Sequence, residues 1–300
     1  MLDGGGSTMQ VSPENKTFVV TGATAGIGLA VVEALLRQGG FAIGIGRTAD
    51  RCQQAQQHVE ALAATGAHVM YLCADLSVQS EVRRVAAAIR DSLQAWGQRH
   101  LDALINNAAT VPFWQTLTSE GFDLQWAVNH LAGYLLTSEL LPLLAAAPEG
   151  RIIMVSSGSH YGARLNWEDL QSRRRYSPLR SYCQTKLANI LFAAEFNRRF
   201  ATDSGVRAFA ADPGLVRTEI GFKSGSTLAH WIWGLRRRGG VPAEQAARGI
   251  VFLATDPSIR GTSEIYWKNE RPKAPSDAAR NPQIARHLWE LSAQMCAVPR

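Results

Sequence analysis

Much of what would assign this sequence to a special class is missing. Its four cysteines, Cys52, Cys73, Cys183 and Cys296, have neither metal-ligand spacing nor the pattern of a disulfide framework. No resident metal is expected, and a reducing compartment is. No apolar run reaches the ~18 residues of a membrane span. The opening Met1-Leu2-Asp3-Gly4-Gly5-Gly6 is neither basic nor apolar, so it does not read as a secretory signal. Internal repeats, low-complexity tracts and interdomain linkers are absent too. The net charge of +6 comes from 31 basic and 25 acidic residues. The arginines are scattered rather than concentrated as on a nucleic-acid binder, so no nucleic-acid partner is expected. Arg173-Arg174-Arg175 reads as a solvated loop or helix end.

What remains is ordinary globular composition: 300 residues, 46% hydrophobic and 19% charged. That suits one large α/β domain. Residues 1–14 read as a flexible leader, with Met9 a candidate start, and 15–300 as one domain.

The chain is organised around Thr21-Gly22-Ala23-Thr24-Ala25-Gly26-Ile27-Gly28. The apolar run Phe18-Val19-Val20 enters it, and an apolar-periodic stretch from Leu29 to Leu36 leaves it. Strand, glycine turn and helix form the context of a dinucleotide fingerprint. Gly22 allows the sharp turn, Gly26 lets a pyrophosphate approach, and Gly28 brings helix and strand together. The open N–H groups of that helix would face the phosphates. Glycines alone would fit an ordinary tight turn equally well, so later residues decide.

Strands are expected at 16–21, 41–46, 68–73, 101–105, 151–155, 206–210 and 262–266. Helices are expected at 26–38, 50–65, up to about 96 (capped by Ser77 or Ser80), 119–144, 178–200, 242–254 and 281–295. The alternation predicts a Rossmann-type, doubly wound parallel sheet of about seven strands. Such sheets bind ligands at the carboxyl ends of their strands. The glycine turn, Arg47, Asp75, Asn106-Asn107, Ser156-Ser157 and Pro213-Gly214 all fall there. One rim thus carries one site.

Tyr182-Cys183-Gln184-Thr185-Lys186 places Tyr182 and Lys186 four apart, on one helix face. Alone the pair reads as two surface residues. Beside the serines of the fifth strand it acquires a chemical reading. A phenol titrates near ~10. An adjacent ammonium and an oxidised nicotinamide would both favour the phenolate, making the tyrosine a usable acid or base.

With these residues in place the chain resembles the short-chain dehydrogenase/reductase family over roughly 16–267. The resemblance rests on Thr21-Gly22-x-x-x-Gly26-Ile27-Gly28, Asn106-Asn107-Ala108-Ala109, Asn129, Ser157, Tyr182-x-x-x-Lys186 and Pro213-Gly214. Val128-Asn129-His130-Leu131, Val155-Ser156-Ser157, Tyr182 to Asn189, and Pro213-Gly214-Leu215-Val216-Arg217-Thr218 are similar to the retinol dehydrogenase-like branch. So are Arg271 to Ser276 and Leu288 to Ser292. Two departures stand out. Ala109 replaces a usual glycine, and Asp212 replaces a common histidine.

The resemblance implies an oxidoreductase with Asn129, Ser157, Tyr182 and Lys186 as its catalytic set. Tyr182 would give and take the proton. Lys186 would lower its pKa and hold the nicotinamide ribose, Ser157 rather than Ser156 would polarise the carbonyl, and Asn129 would hold a relay water. A buried amide satisfying its neighbours is the plain alternative for Asn129. His160 gets no triad role. The implied cofactor shell is Gly22, Thr24, Gly26, Ile27, Gly28, Arg47, Asp75, Leu76, Asn106, Ala108, Pro213, Gly214, Val216 and Thr218, with Tyr182 and Lys186. Asp75 would contact the adenine, and Thr218 the carboxamide. A non-catalytic nucleotide sensor, a scaffold protein and a reductase of a carbon–carbon double bond are the alternatives.

NADP(H) is expected in preference to NAD(H), because Gly46 stands where an NAD enzyme carries an acid, and Arg47 follows it. Arg51 lies one helical turn on. A homodimer or tetramer is expected through 119–144 and 178–200, from Leu135, Leu136, Leu140, Ile190, Leu191 and Phe192. A mobile lid at 220–240, with Leu228, Trp231, Ile232, Trp233 and Leu235, is expected over a bulky lipophilic small molecule, a carbonyl or alcohol such as a long-chain aldehyde, a retinoid or a steroid-like ketone. Arg236-Arg237-Arg238 beside those tryptophans suits a membrane surface. A cytoplasmic protein with peripheral membrane contact is therefore expected.

Overall fold

The computed structural model describes residues 15–216 and 240–299. Eight strands form one sheet: β1 (Thr17–Thr21), β2 (Phe41–Gly46), β3 (His68–Cys73), β4 (Ala103–Asn106), β5 (Arg151–Val155), β6 (Arg207–Asp212), β7 (Tyr266–Lys268) and β8 (Arg271–Pro272). Their order is β3-β2-β1-β4-β5-β6-β7-β8. All neighbours pair in parallel except β7 and β8. The doubly wound parallel sheet is thus present, with one short strand more than expected. β8 exists because Asn269 and Glu270 take φ of 49° and 62°, closing a two-residue hairpin. Asn-Glu does not announce that turn as Asn-Gly would. β7 also starts later than the expected 262, at Tyr266.

The helices are α1 (Gly26–Arg37), α2 (Ala49–Glu60), α3 (Gln79–Ala95), α4 (Leu124–Trp126), α5 (Ala132–Ala145), α6 (Pro178–Ser204), α7 (Ala243–Thr255), α8 (Asp277–Arg280) and α9 (Pro282–Met295). The one long helix expected over 119–144 is instead α4, a π-helical turn at Ala127–Leu131, and α5. Asp123 delays its start by capping it: the carboxylate accepts from the Trp126 N–H at 3.0 Å. Glu120, expected inside that helix, lies before it and caps a different one. Its two carboxylate oxygens accept from Gln79 N–H at 2.9 and 3.1 Å, so neither Ser77 nor Ser80 caps α3.

β1, β2, β4 and β5 are buried along their whole length because helices cover both faces. Val31, Leu35, Val59 and Ile250, from α1, α2 and α7, pack one face. Ile89, Leu136, Leu187 and Leu288, from α3, α5, α6 and α9, pack the other. α9 closes this second layer. Trp289 stacks on Phe192 at 5.5 Å between ring centroids and meets Tyr134 edge-on at 4.9 Å. His130 Nε2 and Ser292 Oγ are 2.9 Å apart. From α3, Gln79 Nε2 donates to the Met295 carbonyl at 2.8 Å, and Arg83 to the Cys296 carbonyl at 2.5 Å. Leu135, Leu136, Leu140, Ile190, Leu191 and Phe192 are consequently at most 2% exposed within one chain. They lend no support to a subunit interface. Among the described residues no helix is long and apolar enough to cross a membrane. Of the expected lid at 220–240, only Gly240 is among the described residues, and Thr218 lies outside them.

Candidate active site

Strand order reverses between β1 and β4, which opens a crevice at their carboxyl ends. The glycine turn fills its floor and is held from three directions. Thr21 Oγ1 accepts from the N–H groups of Asn107 and Ala108, each at 2.9 Å. Asn107 Nδ2 donates to the Thr21 carbonyl at 2.9 Å and to that of Gly22 at 3.3 Å. Tyr71 donates its hydroxyl to the Ala23 carbonyl at 3.0 Å. Sequence reading passed over Tyr71 and the side chain of Asn107. Only the doubled Asn106-Asn107 hinted at the latter.

The close packing explains the glycines. Gly22 has φ +64°, and a Cβ there would lie 2.9 Å from Ala108 Cα. A Cβ on Gly28 would lie 2.3 Å from the Gly22 carbonyl oxygen. α1 begins at Gly26 and Ile27 with Ala25 as N-cap; it has no capping side chain and no acid in its first turn. Its first N–H groups therefore face the crevice without a side-chain acceptor. That leaves room and donors for a pyrophosphate.

At the end of β2, a side chain on Gly46 would have to push its neighbours aside. A Cβ would meet Thr24 Cγ2 at 2.3 Å and Cys52 Sγ at 2.5 Å. Arg47 and Arg51, which follow Gly46 in sequence, are exposed, and neither guanidinium has a partner among the described residues. Asp75, at the end of β3, uses Oδ1 to accept the Ser77 N–H at 2.9 Å. Leu76 is buried beside it. Asn106 points below the rim, with Nδ2 3.3 Å from both Thr137 Oγ1 and Met154 Sδ, and with Oδ1 unpartnered among the described residues. Ala108 stays at the rim, half-buried.

Ser157, Tyr182 and Lys186 come together where β5 ends and α6 begins. The Ser157 hydroxyl lies beside the phenol and favours its ionised form. It also accepts the Ser159 N–H at 3.2 Å. Burial nevertheless dominates at Tyr182, with the Cys183 thiol and the Asp212 carboxylate adding to it, and pushes the phenol up to about 12. Lys186 is 2% exposed, and burial lowers its amine to about 8. Its Nζ donates to the Val155 carbonyl at 2.9 Å and lies 5.4 Å from the Tyr182 ring centroid. The ammonium is near the phenol without bonding it, so within the protein alone it does not bring the phenol down. Ser156 is committed elsewhere: its hydroxyl donates to the Lys186 carbonyl at 2.7 Å.

Asn129 sits in the π turn. Its Oδ1 accepts the Thr110 N–H at 2.7 Å, while Nδ2 donates to the Thr110 carbonyl at 3.1 Å and to Thr185 Oγ1 at 3.2 Å. Both amide hydrogens are used, so the side chain can offer a water only an acceptor. π turns recur at functional sites. Nothing in Ala127-Val128-Asn129-His130-Leu131 distinguishes it from a regular helix.

His160 accepts the Ser276 N–H on Nε2 at 3.2 Å, so Nδ1 carries the proton toward the Ser157 carbonyl at 2.8 Å. Both nitrogens are structural. Asp212, 4% exposed, accepts the Gly214 N–H at 2.9 Å and the Tyr266 hydroxyl at 2.8 Å, with Lys268 Nζ 3.8 Å away. It holds Pro213 and Gly214 at the rim. Gly214 has φ +76°, and Val216 is bridged to Val241.

Residues 16–228 match the family model for short chain dehydrogenases. Human retinol dehydrogenase 13 is 34% identical, over 98% of this chain and 88% of that protein. Mouse retinol dehydrogenase 11 is 30% identical, over 100% and 92%. A crystal structure of an uncharacterised protein from Mycobacterium paratuberculosis is 31% identical and superposes with a TM-score of 0.73, covering 96% and 95%. A glycine-walled crevice, a serine–tyrosine–lysine cluster and these relatives lead to one assignment: the chain belongs to the short-chain dehydrogenase/reductase family, in its retinol dehydrogenase-like branch, whose members are nicotinamide-dependent oxidoreductases of alcohols and carbonyls.

Proposed function

We propose that this protein passes a hydride between NADP(H) and a lipophilic carbonyl or alcohol, with Tyr182 as its general acid and base. The observation that carries the reading is the cluster in which the Ser157 hydroxyl lies beside the Tyr182 phenol and Lys186 Nζ is 5.4 Å from its ring centroid. The nicotinamide supplies or accepts the hydride. Every other part of the chemistry falls to the chain. Ser157 orients the substrate oxygen next to Tyr182, and the phenol hands that oxygen its proton in reduction or removes it in oxidation. Lys186, held by Val155, presents its amine toward the ribose. Asn129 fixes Thr110 and Thr185 around the cluster, leaving Oδ1 for a relay water.

The crevice fits a dinucleotide on two counts: a Cβ at Gly22 or Gly28 would clash, and α1 opens without a cap. For the phosphorylated form the support is at β2. A side chain at Gly46 would have to displace Thr24 and Cys52, and the exposed guanidiniums of Arg47 and Arg51, which follow it in sequence, have no partner among the described residues. A guanidinium pairs well with a 2′-phosphate. The retinol dehydrogenases among the relatives support a bulky apolar substrate.

The test follows nicotinamide absorbance with a long and a short aldehyde, using NADPH and NADH. Turnover is expected with NADPH and the long aldehyde. Tyr182→Phe should abolish it while NADPH still binds. Unchanged turnover in that variant would overturn the mechanism. Arg47→Ala should weaken NADPH about tenfold, as expected for a lost charge-assisted bond, and leave NADH unchanged. Equal losses for both would overturn the 2′-phosphate role.

A further inference from the structure

Two thiols meet at the edge of the crevice. Gly46 and Cys73 are ladder partners on β2 and β3. Partners in a parallel pair project to the same face, about 5 Å apart. Cys52, in the first turn of α2, drops into the space above Gly46, where a Cβ would lie 2.5 Å from its Sγ. The hydrogen bonds cross. Cys52 Sγ donates to the Leu72 carbonyl on β3 at 3.7 Å, and Cys73 Sγ donates to the carbonyl of Arg47, just after β2, at 3.3 Å. After burial, the neighbouring Cys73 thiol also raises the Cys52 thiol. Cys73 is exposed and Cys52 is 4% exposed.

We propose that Cys52 and Cys73 are a redox-active dithiol that a peroxide converts to an intrachain disulfide, and that this bond loosens the grip of Arg47 on the cofactor. The second half rests on the NADP(H) reading above; the disulfide does not. Cys73 can be reached from solvent and reacts first. Its thiolate attacks a peroxide oxygen, the O–O bond breaks, sulfenic acid forms and an alcohol or water leaves. Burial raises the Cys52 thiol, which suits the resolving partner. Cys52 sulfur then attacks Cys73 sulfur, the S–O bond breaks and water leaves. In total the two thiols lose two protons and two electrons, and the peroxide gains both. The Arg47 carbonyl thereby loses its thiol donor, and the first turn of α2 is tied to β3.

The experiment treats the full chain with hydrogen peroxide and reads intact mass, peptide maps and NADPH affinity by fluorescence titration. The wild type should lose 2 Da per chain (two hydrogens), yield a Cys52–Cys73 linked peptide and bind NADPH at least threefold more weakly. Dithiothreitol should reverse all three. C73S and C52A should keep their affinity after peroxide and yield no linked peptide. A gain of 16 or 32 Da on Cys73 without the linked peptide would overturn the proposal. A linked peptide with unchanged NADPH affinity would overturn the coupling to Arg47. If the reduced protein binds no NADPH while the linked peptide forms, the cofactor reading fails and the dithiol stands.

Discussion

Replacing Lys186 by Met should make the protein more stable and inactive, with a stability gain that depends on pH. The side chain is 2% exposed, and burial lowers its amine from 10.5 to about 8. At 1.36 kcal/mol per unit, keeping the ammonium buried costs about 3 kcal/mol below pH 8. Met has nearly the same shape and no charge. What it loses is the bond to the Val155 carbonyl, worth about 1 kcal/mol. That carbonyl stays satisfied by Asn189 Nδ2 at 3.1 Å. The net gain at pH 7 is about 2 kcal/mol, or about 3 °C in Tm for 300 residues. Between pH 8 and 10.5 the unfolded chain binds the extra proton and the folded chain does not. Wild-type stability therefore falls as pH drops through that window and is flat below it. The variant should melt higher than wild type at pH 7 and about 1 kcal/mol less stably at pH 10.5. The difference cancels every other titrating group. The assay is thermal unfolding of both proteins across pH 7 to 10.5. A lower Tm for the variant at pH 7, or a difference independent of pH, refutes the reasoning.

Other changes test other parts. The Asp212 carboxylate helps hold Tyr182 high, so Asp212→Asn should move the acid limb of the oxidation profile to lower pH; an unmoved limb would show that the charge is not felt. Trp289→Ala should cost about 3–5 kcal/mol in urea unfolding. Trp289→Phe should cost clearly less, because it keeps an aromatic ring and the indole N–H has no partner among the described residues; equal costs would contradict that account.

The parts legible in the sequence were those whose causes are local. Phe18-Val19-Val20 followed by spaced glycines can hardly be anything but strand, turn and helix. Tyr182 and Lys186 share a face because a helix repeats every 3.6 residues. Choosing Ser157 over Ser156 came from family position; in the fold Ser156 is tied to the Lys186 carbonyl. What stayed hidden depends on partners distant along the chain. Glu120 caps a helix 41 residues earlier, and Tyr71 holds a carbonyl 48 residues away. Periodicity alone also does not say what covers the apolar surplus on α5 and α6; within the chain, α9 and α3 pack on it. The π turn left no trace because nothing in Ala127-Val128-Asn129-His130-Leu131 marks where a helix takes up an extra residue.

The docking of α9 also bears on the order in which the fold can be completed during synthesis. Contacts from α3 and the π turn to α9 span 216, 213 and 162 residues. The N-terminal half emerges first and can build its β-α-β units from neighbours. It cannot finish them. Until Trp289 arrives, Phe192 and Tyr134 have no lid, and the helix bearing Tyr182 and Lys186 shows an aromatic stripe to water. Long loops close slowly, and exposed apolar surface during that wait invites aggregation. A nascent chain stalled after α7 would thus present the chemical cluster on an unfinished core, making it a substrate for chaperones before it is an enzyme.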